Sequence, residues 1–160
     1  MSQAKLEPMS GIRAPYFLDD FQIGQRFVTE SHALDAAQIK AFAAQFDPQP
    51  FHLDEEAAKD TLFGGLAASG WHTMGITMKL LVGSGAPIAG GIIGAGAEVV
   101  WPRPTRPGDV LTVESHVLEV IPSKTRPDRG MVLMRNETKN QKGEIVQVMT
   151  AKLVVPRRQQ

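Results

Sequence analysis

A change of hydrophobic period partway along the chain constrains its fold more than any other feature. Between Ser69 and Gly85 the segment "SGWHTMGITMKLLVGSG" sets Trp71, Met74, Gly75, Met78, Leu81 and Val82 in one stripe of helical period. Ser69 or Gly70 opens this helix and Gly83 or Gly85 closes it. From about Ile92 the period falls from 3.6 to 2, the signature of strands. Val110 to Ile121 places Leu111, Val113, Val117 and Ile121 on one face and Thr112, Glu114 and His116 on the other. Met131 to Lys139 and Glu144 to Val155 read as two further strands, joined through "NQKG" with Gly143 supplying a positive φ. One long apolar helix followed by a run of antiparallel strands is an α+β arrangement, in which the sheet wraps the helix. A chain of 160 residues fits a single domain of that kind.

Two shorter helices precede the long one. Asp35 and Gln38 form an N-terminal signal, after which Ile39, Phe42, Ala43 and Phe46 recur at i, i+3, i+4 and i+7 until Asp47-Pro48 ends the run. Asp54, followed by Glu55 and Glu56, opens a second, which stops by Gly64-Gly65. Residues 1–15 are polar, with Pro8, Gly11 and Pro15, and read as a loose arm, so the domain spans 16–156. Gly90, Gly91, Gly94 and Gly96 lack dinucleotide spacing and read as close packing of a strand on the helix.

Charge narrows the partners. Seventeen basic and seventeen acidic residues cancel, so no strong field gathers nucleic acid or an anionic membrane surface. The absence of cysteine excludes disulfides and thiolate metal sites and fits a reducing cytoplasm. The N-terminus has no apolar run of signal-peptide type, and the apolar stretch from Ala86 to Trp101 is broken by glycines and prolines. The expectation is a soluble cytoplasmic protein.

The chemistry concentrates in "FDPQPFH", residues 46–52. Pro48 and Pro50 fix φ at two places and hold the residues before them extended, so Asp47 and His52 sit in a stiff frame. As an isolated pair they read first as a helix terminator, Asp47, and a packing residue, His52. As a working pair on one water they can deliver a hydroxyl and a proton to the same face of a double bond, or remove them. A zinc set from His52, Asp54 and His72 lacks dense ligand spacing, so no metal is expected. His32 and His116 read as members of solvated strand faces.

"FDPQPFHLDEEAA" followed by "LFGGLAASGWHT" resembles the MaoC-like dehydratases, the hot-dog-fold group that includes the (R)-specific enoyl-CoA hydratases. Asp47, Pro50, His52 and Asp54 match the family signature position for position, and Gly70 falls at its helix-opening glycine. The likeness runs from about Tyr16 to Val155 and includes the "RPGD" turn at Arg106 to Asp109. Gln49 stands where the family usually has asparagine, and Ser69 where the hydratases commonly have histidine.

The resemblance implies that Asp47 and His52 bind the catalytic water and that the N–H near Gly70 polarises a thioester carbonyl. The implied reaction is reversible syn hydration of a trans-2-enoyl-CoA to a 3-hydroxyacyl-CoA, with no cofactor besides the coenzyme A of the substrate. Gln49, Ser69, Trp71, His72 and Arg103 are the expected substrate-side residues. On its own position, just inside the helix, His72 reads first as a packing or capping residue and second as a substrate contact. Arg103, Arg106, Lys124, Arg126 and Arg129 gather in turns, either as solvated charges or as a patch for the phosphates of coenzyme A or an acyl carrier's pantetheine arm. A hot-dog thioesterase and a non-catalytic acyl-thioester-binding module are the alternatives. A hot-dog sheet leaves edges and an apolar face that pairing would cover, so a homodimer is expected.

Overall fold

The computed structural model describes residues 13–159. A 3₁₀ turn at Leu18–Asp20 leads into β1 (Arg26–Val28), β2 (His32–Ala33), α1 (Ala36–Phe46), α2 (Pro50–Leu53) and α3 (Glu55–Lys59). The long helix α4 (Gly70–Ser84) follows, then β3 (Gly94–Val100), β4 (Val110–Pro122), β5 (Arg129–Lys139) and β6 (Ile145–Pro156). The sheet runs β1-β4-β5-β6-β3, with β2 also paired to β4, and every pairing of these strands is antiparallel. This is the hot-dog arrangement, a sheet wrapped on one helix.

The elements form for local reasons. Asp35 caps α1 by accepting the Gln38 N–H at 2.8 Å. The Gln38 side chain does not complete a capping box; it turns to His32 Nε2 at 2.7 Å and the Ala33 carbonyl at 3.2 Å, tying β2 to the helix. Asp54 caps α3 through the Ala57 N–H at 2.8 Å, and that helix ends at Lys59, earlier than the glycines suggest. Gly143, at φ 77°, turns β5 into β6. One face of β5 carries buried Val132, Met134, Asn136 and Thr138, and it joins Leu111, Val113, Val117, Val146 and Val155 of the neighbouring strands in the core.

Four expectations need correction. The face of α4 that is buried is Thr73, Ile76, Thr77, Leu80 and Leu81, whereas Trp71, Met78 and Val82 stand 64%, 41% and 68% exposed. The helix has two faces that can be covered, and threonines enter the core because their hydroxyls find partners: Thr73 bonds Thr105 at 3.2 Å and Thr77 bonds Thr138 at 2.6 Å. Ile121 is exposed, because a register shift between Val117 and Glu119 reverses the alternation of β4. Gly94 and Gly96 are not tightly packed; a Cβ at either would meet nothing within 4 Å. Finally, the expected arm lies mostly outside the described residues, but Arg13 within it is docked, donating to the carbonyls of Ser84 and Gly85 at 2.9 and 2.8 Å at the end of α4. No helix among the described residues is long and apolar enough to cross a membrane.

Candidate active site

Two prolines shape one tight turn. The Asp47 N–H donates to the Ala43 carbonyl at 2.9 Å and ends α1, and Pro48 forbids a further helical turn. Pro50 takes the first position of α2, where a missing N–H costs nothing; this short helix replaces the extended loop that the sequence suggests. The His52 N–H then reaches back to the Gln49 carbonyl at 3.0 Å. The turn brings His52 Nε2 to 3.2 Å from Asp47 Oδ2.

Each member of this pair is oriented by a third group. His52 is buried, and its Nδ1 lies 2.6 Å from the Ala67 carbonyl. A carbonyl only accepts, so Nδ1 carries a hydrogen and Nε2 is the nitrogen that can exchange a proton. Gln49 Nε2 donates to Asp47 Oδ1 at 2.5 Å, so the longer amide still reaches the aspartate. Burial pushes the Asp47 carboxyl up, but hydrogen bonds from Ser69 and Gln49 and the charge of His52 outweigh it and hold the group below its usual 3.8.

Ser69 and Gly70 carry the site onto α4. Ser69 is fully buried and caps the helix, its Oγ accepting the Trp71 N–H at 3.3 Å. Among the described residues no hydrogen bond uses the Gly70 N–H, the first of the helix. It is one of the orphan donors that every helix start presents. Gly70 has no positive φ; its lack of a side chain answers to Trp101, whose ring atoms would lie 2.7 and 2.8 Å from a Cβ there.

Asp47, Gln49, His52, Gly70, Trp71 and Arg103 line one cavity of about 430 Å³, with Phe51, Phe63, Trp101 and Thr105 among its walls. Ser69 stands behind the lining, against Asp47. His72 does not reach the cavity. Two residues past Gly70 it has turned roughly 200° around the helix, and it stacks on Phe42 at 4.6 Å with Nδ1 buried and unpartnered. Burial, then the nearby His32, pushes its pKa down. Of the substrate-side residues expected, Gln49, Trp71 and Arg103 line the cavity, and Ser69 and His72 do not. Sequence reasoning missed Phe51, Phe63, Trp101 and Thr105; the visible signal was an indole set just before the Pro-Arg-Pro turn.

The basic patch divides. Arg103 reaches the cavity rim and pairs with Glu144. Arg106 is structural: its guanidinium donates to the carbonyls of Phe63, Gly65 and Leu66 and fixes the loop that leads to Ser69. Lys124, Arg126 and Arg129 lie at or beside the β4–β5 turn. Along β5, Glu137, beside the Val148 that pairs Val100, is seven residues from Gly130 at that turn, roughly 23 Å. The one set of three potential ligands that converges among the described residues is Glu114, His116 and Glu137, and Arg26, Arg135 and Lys139 already pair with its carboxylates. His116 is thus held in an ion network on its strand face, 3.1 Å from Glu114.

Comparison with known proteins agrees with the fold. Residues 20–141 match the family model described as a MaoC like domain. The crystal structure of the MaoC-like dehydratase from Rhodospirillum rubrum is similar at 63% identity and a TM-score of 0.89, covering 91% of this chain and 99% of that one. The uncharacterized protein YdeM of Bacillus subtilis is 38% identical over 128 residues, 78% of this chain and 88% of its own. The 3-hydroxybutyryl-CoA dehydratase of Methylorubrum extorquens is 29% identical over 116 residues, covering 72% of this chain and 71% of the relative. With the motif turn, the sheet on its helix and most of its length accounted for, this chain belongs to the MaoC-like domain family.

Proposed function

We propose that the chain is a hydro-lyase that adds water reversibly, in syn fashion, to a trans-2-enoyl thioester and yields the 3-hydroxyacyl thioester. The observation that carries this reading is the Asp47–His52 pair facing the same cavity as the unclaimed Gly70 N–H. A thioester carbonyl bound at Gly70 gains a donor where its enolate charge develops, at the positive end of a helix of fifteen residues. The pair then holds a water above the double bond. One proton leaves that water as its oxygen bonds to the β-carbon, and one proton is delivered to the α-carbon, so the pair ends the turnover with the protons it began with. Because Nδ1 of His52 is committed to Ala67, this traffic runs through Nε2 and the Asp47 carboxylate.

The relative named as a 3-hydroxybutyryl-CoA dehydratase supports a thioester of this class. Farther along α4 a second cavity of about 320 Å³, lined by Met74, Met78, Met134 and Met149, gives an acyl tail an apolar and adaptable bed. Arg103 at the rim suits the phosphates of coenzyme A or of a carrier's pantetheine arm. The working form is a homodimer, in which a second copy covers Trp71, Met78, Val82 and the free side of β3. The reading needs no group beyond the coenzyme A of the substrate.

A panel of short, medium, branched and dicarboxylic trans-2-enoyl-CoA thioesters tests the proposal. Loss of the conjugated enoyl absorbance without release of thiol supports it. Thiol release with the double bond intact would instead mark a thioesterase, and binding without turnover a non-catalytic module.

A further inference from the structure

Three fully buried polar side chains meet where α4 packs on the sheet, where an apolar core would be expected: Thr77 of α4, Thr138 of β5 and Gln147 of β6. Burying an amide and two hydroxyls is costly unless each finds a partner. They do so in a chain that ends at the candidate site. Trp101 Nε1 lies 2.9 Å from Gln147 Oε1, Gln147 Nε2 lies 3.0 Å from Thr77 Oγ, and Thr77 Oγ lies 2.6 Å from Thr138 Oγ. An indole N–H can only donate, which dictates the orientation of the Gln147 amide. Gln147 must turn its oxygen to Trp101 and its NH₂ to Thr77. Thr77 then accepts from Gln147, and its hydroxyl shares a further hydrogen bond with Thr138, in which either oxygen can donate.

The outer end of this chain is the ring that occupies the Cβ space of Gly70. Trp101 is 43% exposed and follows the last residue of β3, so packing on one side alone does not fix its tilt. A hydrogen bond to a buried amide that is itself clamped from the far side does fix it. We propose that Gln147 is a positioning residue for the hydration site: through Trp101 Nε1 it holds the indole against Gly70, so that the first N–H of α4 is shielded from water on that side and open only to the cavity. A donor screened from water acts more strongly on developing charge than one that is hydrated. This inference rests on the hydratase reading of the same site.

The test is a double-mutant cycle on the full chain. Gln147→Met removes the bond at nearly constant volume, and Trp101→Phe keeps a ring while removing the N–H. Each single variant should lower kcat about tenfold with KM little changed, and the double variant should be no slower than either single one, the non-additivity of residues that act as a unit. Additive losses, or a change confined to KM, would overturn the proposal. Should Gln147→Met fail to fold, Trp101→Phe alone decides: an unchanged kcat refutes the role.

A second arm needs no turnover. The chain has two tryptophans, so in a Trp71→Phe background Trp101 is the sole indole emitter. Gln147→Met should shift its emission to the red, and Thr138→Val, which leaves the Trp101–Gln147 bond in place, should shift it less. Equal shifts, or none, count against the clamp. If the wild type hydrates no enoyl thioester while the emission shift is seen, the hydratase reading fails and the clamp stands. If the wild type is active and both single variants keep its kcat, the clamp alone fails.

Discussion

Asp47 and His52 are useful because neither is free to do anything else. His52 has one nitrogen bound to Ala67, and Asp47 has Gln49 and Ser69 holding it ionised. Asp47→Asn and His52→Gln should each lower hydration by about a hundredfold or more, the usual scale for losing a positioned acid or base. Circular dichroism and melting should show both variants folded; near wild-type turnover in both would place the chemistry elsewhere. Arg103 and Arg106 separate by the same logic of what each touches. Arg103→Ala should raise KM for a coenzyme A thioester and leave Tm unchanged, since its partner Glu144 is on the surface. Arg106→Ala should lower Tm, because three carbonyls of the loop before Ser69 lose their donor. The sequence made the Asp47–His52 pairing legible because two prolines leave the turn few conformations. It did not show that Arg106 works for the fold and Arg103 for the cavity, because both stand beside prolines in one turn and differ only in what lies across from them.

At the scale of elements, periodicity identified α4 and the three long strands, and misjudged which face of α4 is buried. The stripe rule counts apolar side chains, and Trp71, Met78 and Val82 satisfy it as well as Ile76, Leu80 and Leu81 do. The tie is broken by Thr73 and Thr77, whose partners Thr105, Thr138 and Gln147 lie 32 to 70 residues away in sequence. Strands β1 and β2 are three and two residues long and carry no readable period. Short as it is, β1 joins an ion network across β4 and β5. Arg26, then Lys139, pulls the Glu114 carboxyl from its ordinary 4.5 down to about 2. A depressed carboxylate contributes stability that is complete above the unfolded value and is lost as pH falls through the folded one. Tm should therefore fall between about pH 4.5 and pH 2 more steeply in the wild type than in Glu114→Gln. Melting curves across that window check this, and parallel profiles would remove Glu114 from the account.

Across the whole molecule, one face is left over. Trp71 and Val82 on α4 and Val100 at the end of β3 are all more than half exposed, next to a strand whose outer edge has no neighbour among the described residues. Sedimentation at micromolar concentration should show a dimer, and Val82→Glu should shift it towards monomer without lowering the helix content; a wild-type monomer would leave that face unexplained. The contact between Gly70 and Trp101 also has a meaning in descent. A side chain at position 70 and an indole at position 101 claim the same space, so the two positions, thirty-one residues apart, cannot vary independently. Lineages of this family that replace the glycine should be those that have already given up the tryptophan, and with it the reason to keep a buried glutamine at position 147.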